Sequence, residues 1–216
     1  MIRAKNIHFS YDKLNVLNGV NLDIKKGEFV SIVGASGAGK STLLNLIGTL
    51  ETMQLGSLTI NNKDIINLNE IELAKIRNKE IGFIFQFHNL LNEFTALENI
   101  CLPAFLNGTT KETAEKKGME LLGMLNLHHK SENKPDELSG GEQQRVAVAR
   151  SLINSPSILL ADEPSGNLDS RNASELHELL LKLNKETSQT IIVITHSKEL
   201  AKLADKTYEI KDGKII

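Results

Sequence analysis

Residues 29–48 read FVSIVGASGAGKSTLLNLIG. A short apolar run leads into a glycine-rich turn, and the turn opens a segment with leucines at helical spacing. From Gly34 to Ser41 the turn fits G-x-x-x-x-G-K-[ST] at every fixed position. A buried strand before it and a helix after it supply the context that makes the pattern a phosphate cradle. Gly34, Gly37 and Gly39 let the backbone curl so that its N–H groups face an anion. Lys40 adds a positive charge for the outer phosphates, and Ser41 offers a hydroxyl to Mg²⁺. Ala35, Ser36, Ala38 and Thr42 complete the expected binding segment.

Strand-like runs form two groups along the chain. AKNIHFSY, VNLDI, EFVSIVG, GSLTI and IGFIFQ make the first; SILLAD, TIIVITH and KTYEIKDGKII make the second. FVSIVG, ILLAD and IIVIT are continuously apolar, as strands covered on both faces of a parallel sheet are. The alternating, glycine-punctuated pieces at both ends read as antiparallel. From about Phe87 to Asn154 the pattern turns helical, with TALENICLPAFL and KETAEKKGMELLGMLNL repeating apolar residues every three or four positions. Ala173, Leu176, Leu179, Leu180 and Leu183 make one apolar helical stripe, with Ser170 as its expected cap. The expected layout is an α/β core, residues 1–86 and 155–216, interrupted by a helical insert at 87–154.

Composition narrows the function. The 216 residues are 40% hydrophobic and 24% charged, ordinary for a globular protein long enough to build a core. Lysine and arginine total 25 against 27 aspartate and glutamate, a net charge of −2. Nucleic-acid binders carry a basic excess to displace counterions, and aromatics for base stacking are only 4% here, so no nucleic-acid partner is expected. The single cysteine, Cys101, excludes an intrachain disulfide and reads as a small buried apolar residue. The N-terminal MIRAKNIHFSYDK has no apolar stretch with a cleavage site, and no apolar run approaches the roughly 20 residues that cross a bilayer. A cytoplasmic protein is expected, with any membrane attachment through a partner.

Downstream of the cradle, ILLADEP ends an apolar strand in two carboxylates. Neighbouring strand side chains point to opposite faces, so Asp162 and Glu163 are not a two-carboxylate dyad. Asp162 suits Mg²⁺ through its water shell, and Glu163 suits a water attacking the γ-phosphate. His196 ends TIIVIT, at the strand end where ligands gather in α/β sheets. His8, His88, His177 and the adjacent His128 and His129 read as structural. A second glycine pair follows Ser139 in LSGGEQQRVAVARS, residues 138–151, where a helix begins. Backbone N–H groups at a helix start also form an anion site, so one chain carries two phosphate-binding starts.

Together these residues resemble the ATPase domain of ABC transporters, end to end. The resemblance identifies Gly34–Ser41 as the Walker A loop, Ile158–Glu163 as the Walker B strand and Gln86 as the Q-loop glutamine. It makes SGNLD (Ser165–Asp169) the D-loop, His196 the switch histidine, Tyr11 the ring that stacks on adenine, and LSGGEQQR the signature. It implies a P-loop NTPase fold: a RecA-like core with an N-terminal antiparallel β subdomain and an inserted α-helical signature subdomain. It implies ATP and Mg²⁺ as ligands, with Ser41, Gln86 and Asp162 at the metal and Glu163, His196 and Gln86 in catalysis. It also explains the second anion site. In this family two subunits pack head to tail, and Ser139, Gly140, Gly141, Glu142 and Asp169 serve the ATP of the other subunit.

The helical insert reads IGFIFQFHNLLNEFTALENICLP from residue 81. Its block from Gln86 to Asn99, the family's docking region for membrane subunits, resembles ATPases of lipoprotein-release complexes. Those complexes sit at the inner membrane, and their cargo is handled by the membrane subunits. ADEPSGNLD suits the whole subgroup, so macrolide- or peptide-exporting and cell-division ATPases stay as alternatives. A soluble ABC protein acting on ribosomes or DNA usually has two cassettes or long coiled coils, absent here. A small-molecule kinase gives the signature and Gln86 no role.

Overall fold

The computed structural model describes residues 1–216. In chain order the elements are β1 (Ile2–Tyr11), β2 (Leu14–Ile24), β3 (Phe29–Val33), α1 (Lys40–Ile47), β4 (Leu55–Ile60), β5 (Lys63–Asp64), α2 (Glu70–Glu80) and β6 (Ile81–Phe85). There follow α3 (Ala96–Leu106), α4 (Lys111–Met124), α5 (Gly140–Leu152), β7 (Ile158–Asp162), α6 (Ser170–Thr187), β8 (Thr190–Ile194), α7 (Lys198–Leu203), β9 (Lys206–Lys211) and β10 (Lys214–Ile215). Two compact units result: Met1–Arg77 with Leu180–Ile216, and Asn78–Leu179.

In the first unit β2, β1, β4 and β5 form an antiparallel sheet in that order. Alternation along β1 buries Ile2, Ala4, Ile7 and Phe9, with register shifts near Asn6, whose φ of 50° marks a bulge. The same unit holds the run β10-β9-β3-β8. β3 and β8 are buried almost throughout, which explains their unbroken apolar sequence. They run parallel, Phe29 opposite Ile191 and Ile32 opposite Ile194. Each fully buried Val, Ile or Phe contributes about 1.5–3 kcal/mol. Two buried polar side chains are paired there: Ser31 Oγ meets Thr207 Oγ1 at 2.7 Å, and Asn184 Nδ2 donates to the Gly27 and Gln189 carbonyls.

The C-terminal hairpin meets the antiparallel expectation within itself and departs from it at the core sheet. β9 is antiparallel to β10 but parallel to β3, Val30 opposite Lys206 through Val33 opposite Glu209. IGFIF, to which the sequence assigns no direction, is also parallel: β6 pairs with β7, Phe85 opposite Asp162.

The second unit carries that pair and the helices α3 to α5, with its own core of Ile100, Cys101, Leu122, Val146, Ala149 and Ile153. Gly82 lets α5 lie directly on β6, since a Cβ there would stand 2.4 Å from the Ser151 carbonyl oxygen. Thr95 caps α3 in a capping box with Glu98, and Thr110 caps α4. α6 is capped by Asp169 rather than Ser170: Asp169 Oδ1 accepts from Asn172 N at 2.9 Å, so the helix starts one residue earlier than expected. No helix is long and apolar enough to cross a membrane.

Candidate functional site

The first unit brings together Tyr11, Gly34–Thr42 and His196. β3 delivers the chain to Gly34, whose φ is 149° and whose missing Cβ would stand 2.2 Å from the Ile210 carbonyl oxygen. Only glycine fits there. Ala35, Ser36 and Gly37 are exposed, while Ala38, Gly39 and Lys40 are buried. Gly39 caps α1 at φ 103° and offers no side chain, and no acid occupies the first turn. The N-terminal N–H groups of α1 therefore have no side-chain cap of their own, and the helix dipole favours an anion. Lys40 Nζ donates to the Gly34 and Ala35 carbonyls at 3.0 and 2.8 Å. An ammonium has three donors, so one remains for a phosphate oxygen. Ser41 is exposed on the first turn beside it.

His196 follows from the strand register. With Ile32 opposite Ile194, Gly34 and His196 leave the two parallel strands at one level. Buried Thr195 donates its N–H to the Ile32 carbonyl and its Oγ1 accepts from Ser197 N, while Ser197 caps α7. His196 is thus an exposed residue pinned between two fixed neighbours. Tyr11 closes β1 with its ring 44% exposed, packed edge-on against Phe9 at 4.9 Å between centroids.

The second unit brings together Gln86, Ser139–Glu142, Asp162, Glu163 and Asp169. The β6–β7 register places Gln86 level with Glu163, one residue beyond Phe85 and Asp162. Glu163 holds φ 45°, in the left-handed region where a non-glycine residue costs about 1–3 kcal/mol. Gly166 N donates to the Glu163 carbonyl at 3.0 Å and closes the turn. Gln86 Nε2 donates to Asn167 Oδ1, and Asn167 Nδ2 donates back to the Gln86 carbonyl, both at 3.2 Å. A Cβ on Gly166 would crowd Gln86 Nε2 at 2.9 Å, so glycine permits that approach.

At α5 Ser139 Oγ accepts from Glu142 N, and Glu142 Oε2 accepts from Ser139 N at 2.8 Å, a capping box. That backbone bond, the Ser139 hydroxyl and Lys130 hold the Glu142 carboxyl below the usual carboxylate range. Ser139 and Gly140 are exposed, and open space lies where a Gly140 Cβ would stand. Gly141 is buried instead against Asn172, whose Oδ1 would meet a Cβ at 2.1 Å. Asn172 Nδ2 in turn donates to Asp169 Oδ2 at 2.7 Å, so Asn172 lies against the signature start and bonds the D-loop aspartate. These bonds hold the Asp169 carboxyl low.

Sequence reasoning missed three residues here: Asn167, Asn172 and Arg150. Arg150, on the last turn of α5, donates to the His88 and Asn89 carbonyls at 2.7 and 2.6 Å and so fixes the segment after Gln86. Its only sequence signal is a charge on a mostly apolar helical face. His88, read as structural, lies half-buried beside Gly140, and burial pushes its imidazole pKa down.

A strand-loop-helix phosphate cradle, a strand ending in Asp162 and Glu163, and a serine-glycine helix start define a P-loop ATPase cassette. The chain belongs to the ABC transporter family, whose family model matches residues 17–166. The Bacteroides fragilis lipoprotein-releasing system ATP-binding protein LolD is 50% identical over 216 residues, covering all of both chains. The Aquifex aeolicus protein of the same name is 48% identical, covering all of this chain and 96% of its own. Among solved structures, the dimeric bacterial ABC transporter cassette MJ0796 is 43% identical at a TM-score of 0.92, covering all of this chain and 96% of its own. A dimeric post-hydrolysis state of that cassette, bound to ADP and Pi, matches at 42% identity and a TM-score of 0.90 with the same coverage. The fold is that of the ABC ATPases, and ATP is the family's ligand.

Proposed function

We propose that this chain is the ATP-hydrolysing subunit of a transporter that releases lipoproteins from the inner membrane, bound peripherally to the cytoplasmic face through membrane subunits. The observation that carries the ATPase reading is the pair of helix starts, Gly39–Ser41 and Ser139–Gly141, each presenting exposed groups suited to an anion. Full-length identity of 50% to proteins named for lipoprotein release supports the process.

The residues present fit Mg-ATP. The cap of α1 is a bare glycine, the Ser41 hydroxyl is open, and no cluster of three acid, His or Cys side chains offers a protein-only metal cage. Mg²⁺ usually relies on one or two carboxylates together with substrate phosphates. When bound, it neutralises charge on the β- and γ-phosphates. Ser41, Gln86 and Asp162 are the proposed metal residues. The segment Gly34, Ala35, Ser36, Gly37, Ala38, Gly39, Lys40, Ser41 and Thr42 holds the phosphates, with Lys40 on the outer ones, and Tyr11 carries the adenine. Glu163 orients the attacking water and takes its proton. His196 donates a hydrogen bond toward the γ-phosphate, and Gln86 couples the site to the membrane subunits.

Ser139 Oγ and the Gly140 and Gly141 N–H groups take the γ-phosphate held by a second copy, with Glu142 shaping the cap and Asp169 anchoring the D-loop. ADP lacks that phosphate, so dimers close on ATP and open after hydrolysis. The 87–154 segment is proposed as the docking subdomain, Gln86–Asn99 its contact block, and residues 1–86 and 155–216 as the ATPase core.

Glu163→Gln tests the reading. It retains ATP binding, slows hydrolysis about 10²-fold or more, and dimerises with Mg-ATP in sedimentation. A variant that stays monomeric at saturating Mg-ATP rejects the shared sites. Capture from native membranes with this variant and ATP recovers a lipoprotein-release membrane subunit. Recovery of a macrolide-export or cell-division subunit instead rejects the process and spares the ATPase.

A further inference from the structure

The Tyr11 ring is anchored before any base arrives. Its hydroxyl donates to Glu51 Oε1 at 2.9 Å and also bonds the Thr42 hydroxyl on α1. Glu51 is itself fixed, because the chain beyond α1 folds back and both Leu50 N and Glu51 N donate to the Asn45 carbonyl, at 2.8 and 3.4 Å. The main chain next to Tyr11 is held by a different device. Along β1 and β4 the antiparallel pairing ends at His8 opposite Leu55. Beyond it Gln54 takes over with its side chain: Oε1 accepts from Ser10 N at 2.8 Å and Nε2 donates to the Ser10 carbonyl at 2.9 Å. One side-chain amide thus stands in for the next rung of the ladder and holds the strand end that carries the ring.

We propose that Glu51 and Gln54 are positioning residues for the adenine nucleotide, holding Tyr11 and its strand end as a preformed platform for the base. This rests on the reading of Tyr11 as the adenine-stacking ring. The ring is 44% exposed, so its freedom in the unanchored state is large and its ordering on binding is unfavourable. Anchoring beforehand removes that penalty from the binding step. Both anchors grow from the segment after α1, the helix whose start holds the phosphates. Base and phosphate subsites are therefore referenced to one rigid element.

The test is calorimetric titration of the full chain with ADP and with inorganic pyrophosphate, neither of which requires turnover. Glu51→Ala and Gln54→Ala each raise the ADP Kd by roughly three- to tenfold and leave the pyrophosphate Kd unchanged. Tyr11→Phe weakens ADP at least as much as Glu51→Ala, because it loses the Thr42 bond as well as the Glu51 one, and the double variant is no weaker than Tyr11→Phe alone. Equal weakening toward ADP and pyrophosphate overturns the proposal, since the residues then merely support the phosphate loop. Wild-type ADP binding in both variants, with Tyr11→Ala still weakened, overturns the positioning role and keeps the platform. Wild-type ADP binding in Tyr11→Ala overturns both.

Discussion

Gly34 and Gly37 belong to the same loop yet are glycine for different reasons. Gly37 has φ 77° and nothing within 4 Å of an added Cβ, so Gly37→Ala meets only conformational strain, about 1 kcal/mol. Gly34→Ala drives a methyl into the backbone of β9 and costs more than about 3 kcal/mol. Urea unfolding of the two variants separates them, and equal losses would show that the strand yields freely. Asn99 presents the opposite case, a buried polar residue whose worth lies in its partners. It accepts from Leu91 N and donates to the carbonyls of Leu91, Phe94 and Thr95, all between 2.8 and 3.1 Å. Asn99→Leu removes these bonds from Leu91 N and the Phe94 carbonyl, while the Leu91 and Thr95 carbonyls keep Phe94 N and Asn99 N, and it lowers stability by about 2–4 kcal/mol in the same assay. The loop glycines and Lys40 were legible as candidates because the phosphate-loop pattern sets those types at fixed local spacing, and Glu163 because it follows an apolar strand. Asn99 was not: it looks like one polar interruption of an apolar helix, and its bonds follow from how the loop before α3 folds back.

For the elements, the start of α5 links charge to stability. The capping box depresses the Glu142 carboxyl, so the folded state holds fewer protons than the unfolded chain between its lowered value and the ordinary one, about 4.3. Its contribution is therefore complete above the ordinary value and disappears as pH falls through the lowered one. Glu142→Gln keeps a capping-box partner but removes the charge. Its deficit against wild type, followed by chemical denaturation from pH 7 to pH 3, shrinks toward zero at the acid end. A deficit constant with pH would assign the effect to packing. Elements were unevenly legible as well. α3 and α4 declared themselves by apolar spacing, but α2 buries only Leu73 and Ile76 and shows no one-sided stripe. β9 misled for a physical reason: alternation reports one solvated face, and an outer strand has that whether it runs parallel or antiparallel to its neighbour.

At the scale of the whole molecule, two anion-binding helix starts in one chain make sense if each completes its partner in a second copy. That arrangement predicts complementation between two inactive variants. Lys40→Ala disables the cradle, and Ser139→Arg blocks the serine-glycine start with bulk and positive charge. A homodimer of either variant has one damaged element in both of its shared sites, so each alone hydrolyses no ATP above background. Mixed dimers differ: the intact cradle of the Ser139→Arg chain meets the intact Ser139 of the Lys40→Ala chain, while the other site carries both lesions. If chains pair at random, about half the dimers are mixed and each retains one of two sites, giving about a quarter of wild-type activity in an equimolar mixture. Cooperativity between the two sites lowers that figure without changing its sign. If each cradle worked with its own chain's serine, every site in the mixture would still carry a lesion, and mixing would restore nothing. The phosphate-release rate of the mixture, set against each variant alone at equal total protein, therefore decides whether the two starts serve one chain or two.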